Sequence, residues 1–221
     1  MGTRAASGFR INGIDKVMYS QFDGYVEGLG SIMFKFAQST TIEDLREAAI
    51  RLQLVSLDDE CPEDLAARYT FVSDLEVSNQ STKDWYCVLR EVQGKPEHWL
   101  KGVDHIIDAS DFLTDSLDCE YAYIIDLDEE VLEIYKGWNK NHRAPGMYAA
   151  FCTNYEEAKD DEEDKYYGVA LVLNIPLGSL EDLTAEQFIE IANYAMYGDE
   201  DDALIPTADL IACAAAWKPT L

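Results

Sequence analysis

Basic residues are scarce: 17 lysines and arginines stand against 43 aspartates and glutamates, a formal net charge of −26 over 221 residues. A field of that sign and size repels DNA, RNA, anionic membrane and free nucleotides unless a metal or a local basic pocket intervenes. Histidine is scarcer still. His98, His105 and His142 are the whole supply, and none adjoins a cysteine or serine in an elbow such as GxSxG, so no nucleophile–base pair is legible. The five cysteines, Cys61, Cys87, Cys119, Cys152 and Cys213, are odd in number and widely spaced, without a CxxC. That spacing argues against a disulfide framework or a zinc site and fits a reducing cytoplasm. No apolar run reaches the length of a membrane span, and MGTRAASGFRING has no signal-peptide core. Met-Gly opens the chain as in myristoylation signals, but Ser7 falls one place beyond the expected position. No Pro/Gly/Ser-rich linker divides the chain, so one domain over 1–221 is expected, without metal or cofactor.

What is present is acid, unevenly placed. Residues 1–110 carry 18 acids and 11 bases, whereas residues 111–221 carry 25 acids and 6 bases. Such a chain attracts basic surfaces, and those are mostly the nucleic-acid grooves of other proteins. In VDHIIDASDFLTDSLD the aspartates Asp104, Asp108, Asp111, Asp115 and Asp118 are separated by 4, 3, 4 and 3 residues. A continuous helix would set all five on one stripe about 21 Å long, with charges spaced like phosphates along a nucleic-acid strand. A strand at HIID would break that stripe. A second run holds Glu156, Glu157, Asp160, Asp161, Glu163 and Asp164, and a third is GDEDD at 198–202. Solvated loops have the same composition, so these runs join the stripe as candidate partner-binding residues only by their number. Asp126 and Asp128 in IIDLDEE alternate as Mg²⁺-holding pairs do, but they are also ordinary turn residues that can face water.

Hydrophobic periodicity predicts an α+β fold, an antiparallel or mixed sheet with N-terminal and central hairpins packed against several helices. The first hairpin is Thr3–Ile11 and Ile14–Ser20 about Asn12-Gly13, and the second is Tyr121–Asp126 and Val131–Lys136. Helices are expected around Ile32–Ala37, over Thr41–Leu54 with Thr41 and Asp44 at its start, from Pro62 to Tyr69, and over Thr184–Tyr197. Trp85, Val88, Leu89 and Val92 favour a helix broken at Gly94-Lys95-Pro96, though the β-prone WYCVL permits a strand. Lys165–Ile175 reads as a buried central strand and Ala208–Trp217 as a final helix.

The stretch YSQFDGYVEGLGS at 19–31 lies between strand and helix, where backbone N–H groups often meet a phosphate. Its glycines Gly24, Gly28 and Gly30 match neither a dinucleotide fingerprint nor a Walker loop, and Asp23 and Glu27 oppose an anion. Each glycine is a candidate for positive φ in a tight turn. Gln21, Asp23 and Tyr25, together with those glycines, are the candidate lining of a small-ligand pocket. The opening MGTRAASGFRINGIDKVMYSQFDGYVEGLG resembles a family of uncharacterised phage and bacterial proteins that begin Met-Gly-Thr-Arg and continue to Tyr-x-Gln-Phe-Asp-Gly-Tyr-x-x-Gly-x-Gly, with Val26 standing where that family has proline. CEYAYIIDLDEEVLEIYKG is similar to the same set. The resemblance implies a phage or mobile-element setting in a bacterial host cytoplasm. With the charge, it leads to the expectation of an acidic interaction protein that blocks a basic nucleic-acid-binding or defence protein by mimicry, with an enzyme or ligand binder at 19–31 as the alternative.

Overall fold

Asn12 and Gly13 take φ of 53° and 71°, the two left-handed residues that a tight hairpin turn needs to match strand twist. They join β1 (Ala5–Ile11) to β2 (Ile14–Ser20), with Ile11 opposite Ile14. The computed structural model describes residues 2–74, 81, 83–152 and 165–198. After β2 come α1 (Ser31–Ser39), α2 (Ile42–Arg51), β3 (Gln53–Val55), α3 (Glu63–Arg68), α4 (Trp85–Val88) and α5 (Glu97–Leu100). Then follow β4 (His105–Ile107), β5 (Tyr121–Asp126), β6 (Val131–Lys136), β7 (Ala170–Pro176) and α6 (Ala185–Tyr197). The main sheet runs β2-β1-β5-β6-β7, antiparallel except for the parallel β1–β5 pair, and β3 and β4 form a small parallel sheet. The fold is α+β, with both expected hairpins in it.

Helix starts follow their side chains. Thr41 accepts the Asp44 N–H at 3.1 Å to open α2. Thr184 and Gln187 exchange hydrogen bonds of 3.2 and 2.9 Å as a capping box for α6. At the other end of α2 the Lys16 ammonium, reaching from β2, donates to the carbonyls of Ala49 and Leu52 at 2.7 and 2.6 Å. A cation there meets the negative end of the helix dipole and satisfies carbonyls that lack helical partners.

One sheet face carries Phe9, Ile11, Tyr123, Ile125, Leu132, Ile134 and Ile175 into the main core under α1, α2 and α6. Phe34 of α1 stacks on Phe188 of α6 at 4.5 Å, and Phe9 meets Trp99 at 4.9 Å. The opposite face is smaller and partly polar. Ala6, Ala122, Ile124, Tyr135 and Val169 gather there with Leu113 and Tyr148. Beside them Arg10 is buried among carboxylates, donating to Asp15 at 2.9 Å and to both Asp126 and Glu133 at 2.8 Å. Both outer strands are covered by loop hydrogen bonds, Ala109 N–H to Val17 O on β2 and Leu171 N–H to Pro145 O on β7. This blunts the pairing edges that an open sheet otherwise offers to other chains.

Four expectations need correction. The helix expected over Thr41–Leu54 ends at Arg51, Leu52 is extended, and Gln53–Val55 is β3, paired with β4. The apolar run at 165–175 forms a strand only from Ala170, and that strand is at the edge of the sheet, with Leu171 and Val172 half-buried. Asp126 does not face water: it is 3% exposed and held by Arg10, while Asp128 accepts the N–H groups of Asn12 and Gly13 and ties one hairpin tip to the other. The segment 104–118 is not a helix. It is β4, then one 3-10 turn at Ser110–Thr114, then irregular chain. The expected helix at 208–217 and the acid runs at 156–164 and 199–202 lie outside the described residues. Among the described residues no helix is long and apolar enough to cross a membrane.

Candidate functional site

Four segments distant in sequence close around one hollow. The end of β2, Leu57 after β3, α4 with the 3-10 turn Arg90–Val92, and β4 with the two residues that follow it line the space. The cavity is about 230 Å³, walled by Met18, Leu89, Val92 and Ile106, with polar groups from Tyr19, Tyr86, Gln93, His105 and Asp108. A mostly apolar cavity with a few convergent polar groups is the usual form of a small-molecule site.

His105 is the best-fixed polar group. Trp85 stacks on its ring at 5.1 Å, and its Nδ1 lies 2.7 Å from the Tyr69 hydroxyl. That hydroxyl also accepts the Asp104 N–H at 3.1 Å, so Tyr69 ties the ring to the backbone at the start of β4. Burial holds the His105 pKa below the ordinary histidine value, against the pull of Asp104. The ring is therefore neutral near pH 7. Burial likewise raises the Tyr19 phenol, which packs edge-on against Phe112 at 5.2 Å, so it too stays protonated.

A second cavity of about 170 Å³ adjoins the same strand end. It is lined by Ser20, Gln21, Phe22, Arg90, Glu91, Gln93, Gly94 and Lys95, and is more polar. Gln93 lines both hollows. Arg90 is fixed by a 2.9 Å hydrogen bond to Gln93 Oε1 and by the Tyr86 ring 5.1 Å below its guanidinium carbon.

Of the expected pocket residues, only Gln21 lines either of these two cavities. Asp23, Gly24, Tyr25, Gly28 and Gly30 line neither hollow. None of the three glycines has positive φ; the left-handed residue of the loop is Asp23, at 54°. The glycines serve close approach instead. A Cβ on Gly24 would stand 2.6 Å from Ala5 Cβ, and one on Gly30 would stand 2.8 Å from the Tyr123 ring. The loop's N–H groups are also engaged: Gly24 with Thr3 O, Gly28 and Gly30 with Tyr25 O, and Leu29 with Asp23 O. This loop turns the chain and offers those donors to no anion.

The five aspartates of the expected stripe separate by environment. Asp104 lies between Arg51, at 2.5 Å, and Arg68; burial pushes its carboxyl up, but the two guanidinium groups together hold it below the usual carboxylate range. Asp118 pairs with Arg4 at 2.8 Å. Asp108 and Asp115 accept the nearby N–H groups of Ser110 and Leu117, and Asp108 and Asp111 are exposed. The sequence reading missed a further acidic surface: Asp58, Asp59, Glu60, Glu63 and Asp64 are all exposed around the start of α3. The density of acid in LDDECPED was the available signal. Asp108 N–H bonds Val55 O, and Leu57 shares the apolar cavity with Asp108, so this surface adjoins the cavity mouth. Compared with protein-family models, with curated proteins and with solved structures, the chain gives no match, and the site is read from its own residues.

Proposed function

We propose that the protein is an acidic interaction protein that occupies the basic surface of a nucleic-acid-binding or defence protein in a bacterial host. The observation that supports this reading is an exposed, carboxylate-rich surface, Asp58, Asp59, Glu63 and Asp64 with Asp108 and Asp111, beside a Glu60 that pairs with Lys83 at 3.8 Å, on a chain of net charge −26. Such a surface favours encounter with Arg- and Lys-rich grooves and disfavours nucleic acid itself. Geometry changes the form of the mimicry: the carboxylates sit on loops and turns, not on one ruled helix.

The test is affinity capture from a bacterial lysate at low salt, followed by titration of each captured protein. Affinity for the partner should fall at least tenfold between about 0.05 and 0.2 M salt, and duplex DNA or RNA should compete for the same partner. Converting Asp58, Asp59, Asp108 and Asp111 to Asn should weaken the complex, because these exposed carboxylates belong to the surface proposed to meet the partner. Affinity indifferent to salt, or a salt-sensitive shift of duplex DNA by this protein alone, would overturn the reading.

A second reading, small-ligand binding, is favoured by the apolar cavity with the fixed His105 in its lining. It does not use the glycine loop beyond Phe22.

A further inference from the structure

We propose that the two cavities form one site for a small amphipathic anion, an apolar ring or chain of up to about eight carbons bearing a terminal carboxylate. The inference rests on the small-ligand reading of the apolar cavity and adds the class of ligand. Successive residues of one strand end serve the two hollows, Met18 and Tyr19 the first and Ser20 and Gln21 the second, with Gln93 common to both. A cavity of about 150 Å³ accommodates benzene, so one of about 230 Å³ takes a substituted ring or a medium chain.

The head group follows from what is unsatisfied or charged in the second hollow. Ser20 is 3% exposed and its hydroxyl has no hydrogen-bond partner, which is uncommon for a buried polar atom. Ser20 Oγ lies 3.8 Å from the point where a Gly94 Cβ would stand, and Gly94 leaves that space open. Arg90 and Lys95 flank it, a local basic pocket in a chain of net charge −26. The Gln93 bond and the Tyr86 stack fix the Arg90 guanidinium, and among the described residues Gln93 is its one hydrogen-bond partner, which leaves N–H groups to meet a carboxylate. Glu91, the carboxylate of this hollow, is paired with Lys95. Asp108 lines only the apolar cavity and repels an anion there, so the ligand's head belongs at the Arg90 end.

The experiment titrates hexanoate, octanoate and 3-phenylpropionate, and the alcohol matching each, into the protein, reading the methyl resonances of Leu89, Val92 and Ile106. Carboxylates should shift these methyls and bind about tenfold tighter than their alcohols, as charge-assisted hydrogen bonds require. Arg90→Gln, at a half-buried position, and Lys95→Gln, at an exposed one, should each weaken carboxylate binding more than alcohol binding and so reduce that preference. Alcohols binding as tightly as carboxylates, or a preference unmoved in both variants, would overturn the anion assignment and leave the cavity reading standing. No methyl shift with any of the six compounds at millimolar concentration would overturn both.

Discussion

Arg10→Met should lower unfolding free energy by about 3–5 kcal/mol near neutral pH, the cost of leaving buried carboxylates without their cation. Arg10 bonds Asp15, Asp126 and Glu133, and its Nη2 donates to the Tyr148 hydroxyl at 2.5 Å. Tyr148 in turn donates to Asp15 at 2.7 Å, and Tyr135 to Glu133 at 2.8 Å. Methionine keeps the apolar stem and removes the charge, so the loss reports electrostatics more than a cavity. Burial already holds the Glu133 pKa above the usual carboxylate value, even with Arg10 and Tyr135 pulling it down. Without Arg10 it must rise further. A carboxyl whose folded pKa exceeds its unfolded one gives stability below the unfolded value and loses it as pH rises through the folded value. The destabilisation should therefore be largest near neutral pH and shrink as pH falls towards about 4, as denaturant melts across that range would record. Asp118→Asn, at the half-exposed Arg4 pair, should cost less than about 1 kcal/mol. Equal small effects from both substitutions would mean that the Arg10 cluster is open to water.

Legibility in the sequence followed the range of the forces. Hairpins set by Asn12-Gly13 and helices set by Thr41 or Thr184 depend on residues within four positions, and all were readable. The aspartates at 104–118 had helical spacing, yet Asp108 and Asp115 bond neighbouring backbone N–H groups, an alternative to helix that short carboxylates favour. Arg51 and Arg68 claim Asp104 from other elements, a pairing that no local pattern reveals. The run ending in Ile175 had the composition of a central strand, but its place at the edge is decided by which strand pairs with β6, a long-range choice. The candidate site was least legible for the same reason. Its walls come from residues 18–22, 57, 86–95 and 105–109, and only Gln21 among the expected pocket residues stood out beforehand.

Gly28→Ala should destabilise the protein by about 2–4 kcal/mol although the residue is only half-buried and its φ is negative. A Cβ at Gly28 would stand 2.1 Å from the Asp23 carbonyl oxygen, far inside contact distance. That oxygen accepts the Leu29 N–H at 2.8 Å, so it cannot move away without breaking the bond that closes the loop. The Gly28 backbone, at φ −89° and ψ −108°, is also outside the regions that residues with a Cβ prefer. Two controls isolate this cause. Gly178→Ala, where a Cβ meets nothing within 4 Å, should leave stability unchanged or raise it by up to about 1 kcal/mol. Asp23→Asn keeps a residue tolerant of the left-handed region at φ 54° and should stay within about 0.5 kcal/mol of the parent. If Gly28→Ala melts like the parent, the Asp23–Leu29 closure does not hold the loop, its N–H groups are free after all, and an anion at 19–31 becomes the reading to test. If it melts early while Asp23→Asn does not, the close approach of Gly28 to the Asp23 carbonyl holds the turn.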